Sequence, residues 1–152
     1  MDLVQIDTAM SEAVRRSVEW IACRPGCAEC CLGEFEISAA EAALLRDGLR
    51  AIGAERAVRV RARARQVNGD DDNAPCPALD PETRECDLYA WRPVTCRVFG
   101  PATRSAEDPS AIGACELCYV GASDAEIEAC AVTVPAAEPG VTTVAIALLQ
   151  ED

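Results

Sequence analysis

Histidine and lysine are both missing from the 152 residues. Without histidine there is no mixed Cys/His zinc finger, no Cys-His nucleophile pair and no imidazole proton shuttle. Without lysine there is no Schiff-base amine and no phosphate-loop lysine, and the glycine-rich phosphate loops and the G-x-S-x-G elbow are missing as well. Aromatic residues number six, and 28 of the hydrophobic half of the chain are alanines. Each buried side chain therefore contributes, on average, less than the roughly 1.5–3 kcal/mol of a buried Leu or Phe, and the core is thin. Long apolar runs are missing too. The best, Val144 to Leu149, falls far short of the about 20 residues that cross a bilayer. Met1 to Met10 lacks the basic start and apolar run of a signal peptide, so the expectation is a cytoplasmic chain without a membrane partner. The formal charge of -12 argues against nucleic acid and anionic lipid as partners, since phosphate contacts need a basic face.

What the chain has is cysteine, ten in all, four of them in Cys23-Arg-Pro-Gly-Cys27-Ala-Glu-Cys30-Cys31. Thiolates so close repel one another unless a positive centre sits among them. Cys76, Cys86 and Cys96 follow, with nine residues in each gap, then Cys115-Glu-Leu-Cys118, a second C-x-x-C, and Cys130 alone. A C-x-x-C turn aims two sulfurs at one point, and two such turns make a strong metal-site signal. In a reducing cytoplasm clustered cysteines hold metal more often than they form disulfides. With thiolates as the ligands, the candidates are zinc, an iron-sulfur cluster or Cu(I). Binding would also add the free energy that the alanine-rich core lacks, so the metal-free protein is expected to be weakly folded.

The length suits one domain, 1–152, of mainly α class with an irregular, cysteine-rich, metal-stapled lobe, or a small α+β fold. N-terminal helices are expected within 8–67, the irregular lobe over 74–121 and a C-terminal segment over 122–152. Thr8 or Asp7 caps a first helix with Met10, Val14, Ser17, Val18 and Ile21 at helical spacing, stopped by Pro25-Gly26. Leu32 to Ile37 is extended, and Ser38-Ala-Ala-Glu41 is a capping box that opens a second helix. Asp47-Gly48 or Gly53 bends or breaks that helix, and a third runs from about Ala54 to Val67. Its Ala57, Val60, Ala64 and Val67 form the apolar stripe, and Arg56, Arg59, Arg61, Arg63 and Arg65 cover the rest. Those arginines are either a docking face for a protein partner or a solvated surface pairing with the chain's own acids; the second is preferred. Asn68 to Asn73 is an exposed loop. Ser123-Asp-Ala-Glu126 starts another helix, and Val141 to Leu149 is one terminal strand.

Taken together, Cys23-x3-Cys27-x2-Cys30-Cys31, Cys76-Pro-Ala-Leu79 and Cys86-Asp-Leu-Tyr89-x2-Arg92-Pro93-x2-Cys96-Arg97-Val-Phe99 resemble the zinc- or iron-chelating C-x-x-C-x-x-C-C family, the YkgJ-like proteins. The resemblance covers roughly residues 20 to 120. It departs from the pattern in the first gap, three residues rather than two, and in Leu88, which stands where the family has Ile. Cys115 and Cys118 correspond loosely to a later family cysteine, and Cys130 to none.

The candidate metal ligands are thus Cys23, Cys27, Cys30, Cys31, Cys76, Cys86, Cys96, Cys115 and Cys118, in one centre or two. Adjacent Cys30 and Cys31 diverge in a strand or a helix, so both can hardly reach one zinc at about 2.3 Å. They can serve different irons of one cluster, and a 4Fe-4S cubane is favoured on that ground. Two four-thiolate zinc sites remain open. Arg92 and Arg97, on either side of Cys96, are expected to offset a cluster's negative charge, or else to pair with Asp87 or Glu85. Tyr89 and Trp91 are packing residues. The expected function is an iron-sulfur protein for electron transfer, redox sensing or iron handling; a zinc-stapled interaction module is the alternative. Redox cycling of Cys27/Cys30 or Cys115/Cys118 is the weakest reading, because no thioredoxin-like alternation of strands and helices surrounds either pair.

Overall fold

The computed structural model describes residues 2–24, 26–28, 30–67, 71–135 and 142–151. Among them are six α-helices, one 3₁₀ turn and five short strands, an α+β arrangement in which helices predominate. The chain divides into two compact units: Met1–Arg24 with Val94–Glu138, and Pro25–Pro93 with Pro139–Asp152. The stretch 74–121 contains only short elements and changes unit after Pro93.

In the first unit, α1 (Leu3–Arg16) begins earlier than the sequence suggests. Asp2 caps it by accepting the Gln5 N–H at 3.0 Å, which leaves Thr8 inside the helix, its hydroxyl donating to the Val4 carbonyl. The helix stops at Ser17, well before Pro25-Gly26. Ser17 is fully buried and its hydroxyl shares a 2.7 Å hydrogen bond with the Tyr119 hydroxyl, a tertiary contact that periodicity cannot reveal. Val18 is accordingly outside the helix and exposed. Ile6, Met10 and Ala13, at the i, i+4, i+7 spacing of one helix face, bury against Val132 and Val134. Those two valines belong to β4 (Val132–Val134), parallel to β2 (Thr103–Ser105), which also pairs antiparallel with β3 (Ile112–Gly113). The unit also holds α4 (Val94–Arg97) and α5 (Asp124–Cys130), the latter opened by the Ser123/Glu126 capping box.

In the second unit, β1 (Glu36–Ser38) pairs antiparallel with β5 (Thr142–Val144). The Ser38/Glu41 capping box closes at 3.2 and 2.7 Å and starts α2 (Ala39–Ala51). Helix α3 (Ala54–Gln66) follows. The single terminal strand expected over Val141 to Leu149 is corrected: Val141 lies outside the described residues, 142–144 are extended, and α6 (Ala145–Gln150) takes the residues from 145 on. Ala145, Ile146, Leu148 and Leu149 are all buried, and this 0, 1, 3, 4 spacing covers one helix face, whereas a strand would turn alternate residues outward. The face packs on α3, where Gln150 donates to the Ala64 carbonyl at 2.9 Å. Ile37, Leu45, Leu49, Val60, Leu88 and Leu148 form the centre of this unit's core.

Helix α2 neither bends nor breaks at Asp47-Gly48 and ends just before Gly53, whose φ of +92° favours glycine. Gly48 serves packing instead: a Cβ there would lie 2.7 Å from Cγ of Trp91 and 2.9 Å from its Cβ. Mid-helix Gly→Ala ordinarily gains about 1 kcal/mol, but overpacking costs about 1–3 kcal/mol, and here the obstructing atoms are the base of the side chain, which cannot swing away. Gly48→Ala is therefore expected to destabilise by up to about 2 kcal/mol in denaturant titration, and Gly48→Ala with Trp91→Leu should recover part of that loss.

The arginines of α3 are largely engaged within the chain. Arg59 pairs with Glu55 at 2.9 Å, Arg61 donates to the Glu151 carbonyl at 2.8 Å, and Arg56 and Arg63 both reach Asp87. In the acidic loop, 68–70 lie outside the described residues, and Asp71, Asp72 and Asn73 are exposed. No described helix is long and apolar enough to cross a membrane.

Candidate metal centre

None of the ten cysteines is in a disulfide, and five lie in each unit. In the second unit a short backbone ladder joins the first motif to the CP-x-L segment. The Cys76 N–H donates to the Cys31 carbonyl at 2.8 Å, the Gly33 N–H donates to the Ala74 carbonyl at 2.8 Å, and Leu32 bridges Pro75. Gly33, at φ +76°, makes this approach possible, since a Cβ would lie 2.7 Å from the Asp72 carbonyl oxygen. A second bridge, Leu79 to Cys86, brings the third segment alongside, with the Asp87 N–H donating to the Ala78 carbonyl at 2.7 Å. Cys30, Cys31, Cys76 and Cys86 thus lie on three segments that pair through their backbones.

Their protonation records that proximity. The Cys31 thiol is pushed far above its ordinary value, first by its hydrogen bond with Cys30, then by burial and by the charges of Cys30, Cys76 and Cys86. Burial also pushes up the Cys86 thiol, to about 11, and the Cys76 thiol. Opposing groups are already in place. The backbone N–H groups of Ala78 and Leu79 favour thiolate at Cys76 and that of Leu88 at Cys86, as do the positive charges of Arg63 and Arg92 respectively. Thiols held neutral by burial and one another, yet surrounded by N–H donors and guanidinium groups, become thiolates when a cation takes the proton's place. Among the described residues no three Cys, Asp or Glu side chains stand in ion-holding geometry.

The other expected site residues are placed as follows. Cys27 is half-buried in the second unit, on the turn where the Cys31 N–H bonds to the Ala28 carbonyl. Cys23, Cys96, Cys115, Cys118 and Cys130 belong to the first unit. Arg92 stacks on the Tyr89 ring at 3.7 Å and donates to the Tyr89 carbonyl, which keeps its charge near Cys86. Arg97 donates to Asp7 at 2.9 and 3.1 Å, and neither Asp87 nor Glu85 is its partner in that pair. Trp91 packs against the core of the second unit as expected.

Sequence reasoning missed Arg63 and Asp87. Arg63 donates through Nε to the carbonyl of Pro77, next to Cys76, and through Nη2 to the carboxylate of Asp87, next to Cys86, at 2.8 and 2.7 Å. It thus ties together the two loops that carry those thiols. Arg56 holds the other carboxylate oxygen at 3.0 Å. Arg56 and Arg63 lie two turns apart on α3, but nothing local in the sequence points to Asp87 as their shared partner.

The family model CxxCxxCC, described as a "putative zinc- or iron-chelating domain", matches residues 22–127. The chain belongs to that family of cysteine-rich metal-chelating domains. No curated protein and no solved structure gives a significant match.

Proposed function

We propose that the second unit holds an iron-sulfur cluster on Cys30, Cys31, Cys76 and Cys86, and that the protein uses it in electron transfer or redox sensing. The observation that carries this reading is that backbone pairing sets the adjacent Cys30-Cys31 pair beside the Cys76 segment and the Cys86 segment beside Leu79, so that four cysteines, two of them neighbours in sequence, lie on three paired segments. A single zinc would draw both sulfurs to about 2.3 Å from one point, against the divergence of adjacent side chains. A cubane asks each thiolate for a different iron and so accommodates them. The donors fit: all four are cysteines, which as thiolates are soft ligands. When bound, the cluster supplies one-electron chemistry. Arg63 and Arg92 offset part of the negative charge that four thiolates bring, which favours the reduced state and raises the potential.

Purification without oxygen should give a brown protein with broad visible absorption, containing iron and acid-labile sulfide in similar amounts. Air should bleach it. A colourless preparation with zinc and neither iron nor sulfide would overturn the proposal and favour the zinc-stapled module.

A further inference from the structure

We infer that the outer edge of β4, in the first unit, is a docking groove for an extended peptide segment that carries an acidic side chain, a binding site independent of any metal. Among the described residues the sheet runs β3-β2-β4, so β4 is an edge strand. Its bonds to β2 fix which backbone groups face outward. The Val132 N–H donates to the Ala102 carbonyl at 3.2 Å, and the Val134 carbonyl accepts the Ala106 N–H at 3.1 Å. Val132 and Val134 thus turn their backbone groups toward β2, and the N–H and carbonyl of Thr133 between them turn away from it. Natural edge strands are commonly blunted. Here the blunting falls on either side of Thr133: Arg16 donates to the Ala131 carbonyl at 3.2 Å, and Pro135 has no N–H. The donor and acceptor of Thr133 are left between, on an exposed residue.

A groove of about 540 Å³ lies along this edge, within the size range of ligand sites, lined among others by Ala9, Glu12 and Arg16 of α1, Arg104 of β2, Glu128 and Thr133. Arg104 is the register partner of Thr133, so its side chain leaves the sheet on the face opposite the two valines that meet α1. Its charges select the occupant. Glu12 is shared by Arg15 and Arg16, while Arg104 donates to the Glu128 carbonyl at 3.4 Å and forms no ion pair among the described residues. Three arginines therefore stand against Glu12 and Glu128, a local positive excess in a chain of net charge -12. A guanidinium with unused N–H donors takes a carboxylate through two parallel bonds. A strand edge with an open donor and acceptor takes an extended backbone as an added strand. Together they fit a peptide whose backbone pairs with Thr133 and whose Asp or Glu side chain reaches Arg104. A second copy of the chain would present the same concave edge, which does not fill the groove.

Random peptides displayed on phage and selected on the full chain, prepared without oxygen, should converge on an Asp or Glu flanked by strand-forming residues. The selected peptide, made synthetically, should bind one per chain and slow hydrogen exchange at the Thr133 amide. Arg104→Glu should weaken it about 10-fold or more, and so should Gln in place of its acidic residue. Thr133→Pro removes the outward donor without breaking a bond to β2, which an edge strand tolerates, and should weaken binding with metal content unchanged. The exchange measurement uses wild-type protein and decides the matter even where a variant fails to fold. Selection without an acidic consensus, equal affinity for Arg104→Glu, or unchanged exchange at Thr133 in the bound state would overturn the inference. Dimers of the wild-type chain that Thr133→Pro abolishes would overturn it as well, by assigning the edge to a second copy.

Discussion

Cys30→Ser and Cys86→Ser are each expected to abolish the iron and sulfide content and to lower the melting temperature by roughly 8–16 °C. A serine hydroxyl stays protonated near neutral pH and is a hard ligand, so it does not replace a thiolate on a soft centre. Three of the four proposed ligands then remain in the second unit with no shared cation. A ligand at about a thousand times its Kd stabilises the folded state by about 4 kcal/mol, and in a chain of this length each kcal/mol moves the midpoint by about 2–4 °C. The loss matters because the unit's core, around Leu45, Leu49, Leu88 and Leu148, is otherwise rich in alanine. Cys130→Ser is the contrast. Its hydroxyl still donates to the Arg16 carbonyl, so metal content should stay at the wild-type level. Iron analysis and thermal melts of the three variants side by side check the expectation; full iron in Cys86→Ser would show that Cys86 is no ligand.

Asp87→Leu is expected to cost about 2–3 kcal/mol of stability and to weaken metal retention about 10–100-fold. The carboxylate is only 8% exposed and accepts from Arg63 at 2.7 Å and Arg56 at 3.0 Å. Removing it leaves two guanidinium groups without their counter-charge. The cost falls below the 3–5 kcal/mol of a fully buried pair because the Arg56 side chain, 46% exposed, can rehydrate. The metal effect has a geometric origin. Arg63 links the Pro77 carbonyl to Asp87, so the loops of Cys76 and Cys86 lose a common brace. Arg63→Lys should fall between wild type and Asp87→Leu, since an ammonium keeps the charge and loses the fixed fork that reaches both acceptors. Chelator competition read against denaturant melts separates the two effects. Loss of stability with unchanged metal affinity would make the brace a purely structural pair.

Local signals carried over into the structure where one short segment contained both partners of the interaction. The Ser38/Glu41 and Ser123/Glu126 capping boxes start α2 and α5, and the Ala57, Val60, Ala64 stripe of α3 is buried. Where a distant residue supplied the partner, the reading missed. Ser17 ends α1 against Tyr119, Gly48 continues α2 because Trp91 packs over it, and the run from Ala145 to Leu149 winds into a helix against α3. A five-residue apolar run reads equally as a buried strand or as one face of a short helix, and only the surface it meets selects between them.

The chemistry of the site was legible in residue types alone. No histidine, no lysine and ten cysteines leave soft thiolate ligation, and the spacing of the motifs carries the family, which the match over 22–127 bears out. How the thiols are shared out was not legible. The gaps in the sequence are the same whether one centre or two is built; the backbone ladder of Cys31 with Cys76 and the bridge of Leu79 with Cys86 decide which cysteine-bearing segments lie side by side. The brace of Arg63 on Asp87 belongs to the same class. Ligand identity is a property of single side chains, which a sequence states outright, while grouping and bracing arise when segments far apart in the chain pair through hydrogen bonds that exist only in the folded state.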